Sequence, residues 1–384
     1  MKILVTTYHH PDYYPPTLNA IAALSNSFEE VIVITRNVSQ AEFDFSENVV
    51  FKKSGAYADL RDTEKAPVQK KAFSFFQYVS LLLKNIRSYK PGILLMYDSI
   101  SLFAYWLIRN LIPHNHIVWY HNHDTADINR VRKYSIAWWS VKYENMILQK
   151  YVDIFSLPSL ERKRFFELDK FKGDFFFIPN FPSLSFFAKF YAPKPAGDIV
   201  KLIFQGSVGE GHGLENIARL LSTKIEGREI QLVIKGWIRD EHFKDKIISI
   251  ATAMGCRDRL HFIPFGPYKE LPLVTRECHI GIGIHSLDTD LHTTLAKASN
   301  KLYEYAALGL PIIVYDSPHY REHLGKYDWV FFSDDDTEPL EKCISAIIAD
   351  YDALSCSAHA SFLKEFNFES KFQPVVDFLI NKKK

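Results

Sequence analysis

LIFQGSVGEGHGLENIARLL, residues 202–221, decides how the rest of the chain is read. An apolar run at 202–204 enters a turn with glycines at 206, 209, 211 and 213, and a segment with helical spacing follows. A buried strand, a glycine-rich turn and a helix in that order form one half of a βαβ unit. Exposed backbone amides and the positive end of a helix dipole suit a diphosphate. Glycine-rich turns also serve plain chain geometry, so this turn alone leaves both readings open.

The same pattern repeats outward in both directions. Short apolar, β-branched runs fall at 3–6, 31–35, 93–97, 116–120, 154–157 and 175–178. A second set falls at 201–205, 231–235, 261–264, 280–284, 311–315 and 329–332. Each is followed by a segment with helical periodicity. Runs that are apolar on both faces and alternate with helices predict parallel sheet covered on both sides. Six runs in each half predict an α/β chain of two Rossmann-like, doubly wound domains.

Length agrees with that count, because 384 residues exceed one ordinary core. The composition, 47% hydrophobic and 24% charged, is that of a folded chain. A formal net charge of +1 gives no electrostatic case for nucleic acid. Cys256, Cys278, Cys343 and Cys356 form no CxxC pair, so neither a zinc knuckle nor a disulfide framework is expected. The opening MKILVTTYHHPD lacks the apolar core of a signal peptide, and the apolar stretch 100–113 is too short to span a bilayer. The expected location is cytoplasmic, with peripheral contact at the inner face of a membrane left open.

PNFPSLSFFAKFYAPKPAGD, residues 179–198, holds four prolines and a glycine and has no clean periodicity. The expected division is therefore a first domain at 1–182, a linker at 183–199, a second domain at 200–365 and a C-terminal helix at 366–384. That helix is expected to pack back on the first domain. The stretch 162–190 mixes bases and aromatics, which fits core strand and linker or a membrane-surface or lipid-acceptor role.

In open α/β sheets ligands sit beyond the carboxyl ends of the strands. The loop after the first run, TTYHHPDYYPPT, contains no glycine, which disfavours a dinucleotide site there. It places His9, His10 and Asp12 at a strand end, as ordinary polar loop residues or as acceptor-side groups. The loop after the fourth run carries His121, His123, Asp124 and Asp127. No third ligand stands at metal spacing, so none is expected to bind one. In SNKLYEYAALGLPIIVYDSP, residues 299–318, a helix carries Lys301 and Glu304 near its start and ends at Gly309. A carboxylate there can accept both hydroxyls of a vicinal diol, such as that of a nucleotide ribose.

NKLYEYAALGLP resembles the donor-binding signature of GT-B glycosyltransferases, in particular glycosyltransferase family 4 and its group 1 relatives. LIFQGSVGEGHGLENI is similar to their phosphate loop, QLVIKGW to the next strand and turn, and HFIPFGPYKELPLVTRECHIGIGIH to the segments flanking the nucleobase. IPNF, residues 178–181, resembles the end of their first domain. WYHNHD resembles the strand-end motif bearing their active-site histidine, with His123 the better match and His121 the second. The resemblance implies two domains facing a central cleft and transfer of a sugar from a nucleoside-diphosphate sugar, the co-substrate, to an acceptor hydroxyl. It further implies retention of configuration, no bound metal or other cofactor, and a place in polysaccharide or glycoconjugate synthesis with a saccharide or lipid-linked saccharide acceptor. Carried over residue by residue, the donor side comprises Gly206, Ser207, His212, Gly213, Lys235, Gly236, Phe265, His285, Asn300, Lys301, Leu302 and Glu304. His123, His121 and Glu304 are the expected catalytic set, and His9, His10 and Asp124 the acceptor side.

Three positions depart from the family pattern. A glutamate eight places before Glu304 would fall on Ala296, and the basic diphosphate clamp falls on Ser207 and His212. Asp288 or Asp290, or loop amides, could replace the missing carboxylate, and Lys301 or Lys235 the missing charge. The Asp288–Thr289–Asp290 pair could also take a divalent ion, although none is expected. The departures keep two rivals open: a sugar-nucleotide 2-epimerase of the same fold, and a degenerate nucleotide-sugar-binding protein.

Overall fold

The structure, a computed structural model, describes residues 1–40, 43–285 and 294–383. The chain divides into two units, Met1–Pro179 with Phe368–Lys384, and Asn180–Asn367.

Unit one is built on β1 (Lys2–Thr7), β2 (Glu30–Arg36), β3 (Val49–Ser54), β4 (Ile93–Tyr97), β5 (Ile117–His121), β6 (Ile154–Leu157) and β7 (Asp174–Phe177). They form one parallel sheet in the order β3-β2-β1-β4-β5-β6-β7. Side chains alternate across a strand, and β5 shows what each face meets. Val118 and Tyr120 join a core cluster with Tyr78, Leu82, Phe103 and Ile147 from the helices Val68–Tyr89, Asp98–Ile108 and Ile136–Tyr151. Trp119 points the other way and stacks on Phe372 of the helix Phe368–Lys383, with ring centroids 5.6 Å apart. Phe176 meets Phe378 of the same helix at 5.1 Å. Both faces of the sheet are thus covered, as fully buried strands require.

The sequence reading missed β3. Its side chains are mostly half-buried and it carries Lys52 and Lys53, the polar marking of an edge strand, which blurs the apolar pattern.

Unit two holds β8 (Ile199–Val208), β9 (Lys224–Ile225), β10 (Arg228–Ile238), β11 (Leu260–Pro264), β12 (Ile280–Gly283), β13 (Ile312–Tyr315) and β14 (Val330–Ser333). The order is β11-β10-β8-β12-β13-β14, parallel throughout, with the two-residue β9 antiparallel to β10. β12 reads IGIG. Ile280 and Ile282 enter the core cluster on one face, while Gly281 and Gly283 leave the other face bare. The helix Asn300–Ala307 lies on that bare face. A Cβ on Gly281 would stand 2.2 Å from the Tyr305 ring, and one on Gly283 would stand 2.3 Å from Leu302. Those two glycines set the height of the helix, and hence of Glu304, over the sheet.

Residues 183–199 differ from the expected linker. They belong to unit two, where Phe187 is fully buried and Phe186 stacks on Tyr268 at 5.8 Å. Lys194 donates to the carbonyls of Arg276 and Cys278. Four prolines suggested a spacer, but the aromatic residues between them bury apolar surface and tie the segment down.

Candidate active site

Each sheet has a point where the chain leaves a central strand first to one side and later to the other. In unit two this switch lies between β8 and β12, the place where open α/β sheets bind ligands. The glycine turn follows β8, and His285 and residues 286–293 follow β12. Asp288 and Asp290 lie outside the described residues.

Three glycines in this region adopt backbone angles that disfavour other residues. Gly206 has φ +123°, Gly211 +82° and Gly213 +67°, and Gly213 caps the helix Leu214–Leu220. Gly236 pairs with Gly206 across β10 and β8 at φ +147°, and a Cβ on it would fall 1.9 Å from the Gly206 carbonyl oxygen. Backbone cannot yield that distance cheaply. Gly236→Ala is therefore expected to cost at least about 3 kcal/mol and to lower Tm by roughly 6–12 °C. A thermal melt within about one degree of wild type would show that β8 and β10 do not approach this closely.

Glu304 is 4% exposed. Gln205, in β8 next to Gly206, donates from Nε2 to Glu304 Oε2 at 2.6 Å. Tyr268 donates from its hydroxyl to Oε1 at 2.9 Å. Thr275 in turn holds Gln205 Oε1 at 2.9 Å, and the Gln205 amide donates to the Tyr305 hydroxyl at 2.9 Å. The network anchors the carboxylate beside the start of the glycine turn. Burial pushes its carboxyl up to about 7, against the two donated hydrogen bonds. Each carboxylate oxygen accepts one bond from the protein and keeps capacity for another.

Lys301 lies one turn earlier on the same helix. Its ammonium stands 4.0 Å from the Phe204 ring centroid, and burial brings it down to about 7. Among the described residues no carboxylate pairs with it. Lys235, also buried, reaches the Pro264 carbonyl at 3.5 Å and is lowered by burial. His212 bonds through Nδ1 to the Ile284 carbonyl at 3.1 Å and meets His285 edge-on at 4.7 Å. Ser207 is half-buried and Phe265 is 47% exposed. Asn300 is half-buried, and its Oδ1 has no hydrogen-bond partner. Leu302 is core, packed on Gly283. Ala296 is buried, and its amide donates to His319 Nε2 at 3.1 Å.

In unit one the switch lies between β1 and β4. His9 contacts Arg36 through Nδ1 at 3.2 Å, and burial with that guanidinium beside it holds it down to about 3. His10 accepts from the Asp12 amide at 3.2 Å, and burial holds it to about 4. His121 bonds to Ser156 Oγ at 2.8 Å and is lowered by burial to about 3. His123 differs from these. It is 5% exposed, its ring sits 4.1 Å from that of Tyr14, and neither ring nitrogen has a hydrogen-bond partner. Burial, with His121, His9 and Arg162 around it, drives its pKa far below the usual value, so the ring is neutral. A neutral imidazole with both nitrogens free can accept one hydrogen bond and donate another. Asp124 is exposed beside it.

Several polar groups escaped the sequence reading. Gln205, Tyr268 and Thr275 come from three separate segments and converge only in the fold. Asn122 donates from Nδ2 to Glu144 Oε1 at 2.8 Å and accepts at Oδ1 from the Thr125 hydroxyl at 2.9 Å, clamping the loop that bears His123. Asp98, directly after β4, has φ +68° and accepts from the Tyr8 amide at 3.2 Å. A non-glycine left-handed residue at a switch point was signalled only by its place directly after an apolar run.

Comparison with solved structures places this arrangement among known folds. The chain is similar to sucrose-phosphate synthase from Thermosynechococcus elongatus, with TM-score 0.70, 14% identity, and coverage of 100% of this chain and 99% of that one. HepE from Anabaena, solved in complex with UDP-glucose, gives TM-score 0.66 at 12% identity, over 99% of this chain and 100% of that one. WaaG, a glycosyltransferase involved in lipopolysaccharide biosynthesis, gives 0.62 at 10%, over 98% and 99%. The fold is GT-B. Residues 197–358, nearly all of unit two, match the family described as glycosyl transferases group 1. No curated protein sequence matches the chain. Within the matched residues lie the glycine turn, Lys235, Gln205, Tyr268, Lys301 and Glu304.

Proposed function

We propose that the chain transfers a sugar from a nucleoside-diphosphate sugar to an acceptor hydroxyl. The observation that carries this reading is the buried Glu304 carboxylate tied by Gln205 to the strand end that opens the glycine turn. A diol-binding carboxylate beside a phosphate-binding turn matches the two ends of a nucleoside diphosphate. The solved complexes of HepE with UDP and with UDP-glucose lend support from a protein of the same fold.

Glu304 takes the ribose hydroxyls, while the amides of the turn, Lys301 and Lys235 take the diphosphate. Leaving-group stabilisation then rests on fixed donors and buried ammonium groups, with no metal required. His123, with His121 second, orients the reacting sugar or the acceptor, and His9, His10 and Asp124 stand on the acceptor side. The linkage retains configuration, and the acceptor is a saccharide or lipid-linked saccharide.

A thermal-shift panel of nucleoside diphosphates and their sugars tests the binding step. Ligand at about a hundred times its Kd stabilises the folded state by about 2.7 kcal/mol, which raises Tm by several degrees. At least one nucleoside diphosphate is expected to do so. Release of nucleoside diphosphate that depends on added acceptor supports transfer. Donor turnover without acceptor favours epimerisation, and binding without any turnover favours a degenerate binder, a reading motivated by Ala296, Ser207 and His212.

A further inference from the structure

Unit one exposes more aromatic surface on one flank than a soluble face needs. On the helix Val68–Tyr89, Phe73 and Phe76 are 65% and 64% exposed, and their spacing puts them on one side of the helix. Tyr134, held at φ +63° just before the helix Ile136–Tyr151, is 76% exposed. Between these tips runs a chain of ring contacts, through buried Phe75 and Phe103 to half-buried Tyr143, Trp139 and Trp138. Phe75 stacks on Phe103 at 6.2 Å, and Phe103 on Tyr143 at 6.3 Å. Tyr143 continues to Trp139 at 5.8 Å, Trp139 to Trp138 at 4.7 Å, and Trp138 to Tyr134 at 5.4 Å.

The charge on this flank is mostly positive, with exposed Asp62, Glu64 and Asp127 the acidic exceptions near it. Residues 68–89 contain Lys70, Lys71, Lys84 and Arg87 and no acidic residue. Residues 126–143 contain Arg130, Arg132, Lys133 and Lys142 against Asp127 alone. All eight basic side chains are exposed. The Lys142 ammonium lies over Trp138 and Trp139, 4.8 and 5.1 Å from the ring centroids. In a chain with net charge +1, these two stretches hold a local excess of positive charge.

We propose that this flank seats unit one on an anionic phospholipid surface. Tryptophan and tyrosine rings with an apolar body and a polar edge settle at headgroup depth, and lysines reach past them to phosphates. Protruding phenylalanines enter the acyl boundary, as on an amphipathic surface helix. A protein partner would accept the rings, but the excess of positive charge matches a sheet of phosphates better. No described helix is long and apolar enough to cross a membrane, so contact is at the surface. The stretch 162–190, where bases and aromatics also mix, does not compete, because Phe166, Phe181 and Phe187 are buried. The loop bearing Arg130 to Tyr134 continues directly from His123. On the proposed transferase reading, the same surface would bring a lipid-linked acceptor to the acceptor-side residues.

The test uses the full chain and sedimentation with vesicles. Phosphatidylcholine vesicles with roughly 30% phosphatidylglycerol should carry the protein down at low salt, and binding should fall as salt rises. Arg132→Glu with Lys133→Glu should weaken it by about fivefold or more per charge. Phe73→Ser with Phe76→Ser should weaken it about tenfold or more. Nucleoside-diphosphate affinity, unchanged in both variants, serves as the folding control and separates this proposal from the fate of the transferase reading. Protein left in the supernatant, equal binding to pure phosphatidylcholine, or variants that bind like wild type would each overturn it. So would self-association without lipid that the phenylalanine variant abolishes, since that would assign the flank to a second copy of the chain.

Discussion

Glu304→Ala is expected to weaken nucleoside-diphosphate binding by roughly thirtyfold to several hundredfold. A hydroxyl donating to a charged acceptor contributes about 1.5–3 kcal/mol, and two such bonds, partly replaced by water in the variant, leave a loss of about 2–4 kcal/mol. The carboxyl is pushed by burial up to about 7, which gives the prediction a pH signature. Ribose hydroxyls donate to the ionised form, so binding favours loss of the proton. Affinity in the wild type should be full above about pH 7 and fall toward tenfold per unit below it. That acid limb should vanish in the alanine variant. Truncation also strands the Gln205 amide and the Tyr268 hydroxyl, at about 1–3 kcal/mol of stability each. Glu304→Gln keeps an acceptor for them and is the control. It should melt closer to wild type yet lack the acid limb. Calorimetry across pH gives the answer, and an alanine variant that binds like wild type at every pH removes Glu304 from the site.

His123→Ala should lower turnover by about a hundredfold while leaving nucleoside-diphosphate affinity unchanged. An orienting or proton-handling group contributes on that scale at its lower end. The ring makes no hydrogen bond through either nitrogen, so truncation sacrifices packing against Tyr14, Tyr97 and His121, a loss of about 1–2 kcal/mol. His121 provides the contrast. Its Nδ1 is bound to Ser156, which also accepts from Trp119 Nε1 at 2.8 Å. His121→Ala should therefore lower Tm more and turnover less. The reverse pattern would pass the catalytic role to His121. Turnover measured with saturating donor, beside melts of both variants, separates the two.

The strands that were legible from sequence are those apolar on both faces, because such runs have few alternatives to a covered parallel sheet. β4 and β5 are of this kind, and so is β12, whose IGIG also announces a helix lying close above it. Edge elements were not legible. β3 shares its lysines with surface loops, and β9 is two residues long. Residues 183–199 misled because prolines mark a break in regular structure, not a break in packing. At the candidate site, single-segment features could be read: the glycine turn, Lys301 with Glu304 on one helix, and the histidines after β5. Partners joined across the fold could not. Gln205, Tyr268 and Thr275 are ordinary in their own segments, and nothing local shows that they meet at a carboxylate. Likewise, nothing local separates His121, which is bonded, from His123, which is not.

The most direct test of the account pairs Glu304 with the ribose itself. Calorimetry of the wild type and of Glu304→Ala, each with a nucleoside diphosphate that stabilises the protein and with its 2′-deoxy form, closes a thermodynamic cycle. The account predicts that the wild type binds the deoxy ligand about tenfold or more weakly, that the variant scarcely distinguishes the two, and that the coupling energy is about 1.5–3 kcal/mol. A coupling energy near zero, with both proteins discriminating equally, would contradict it.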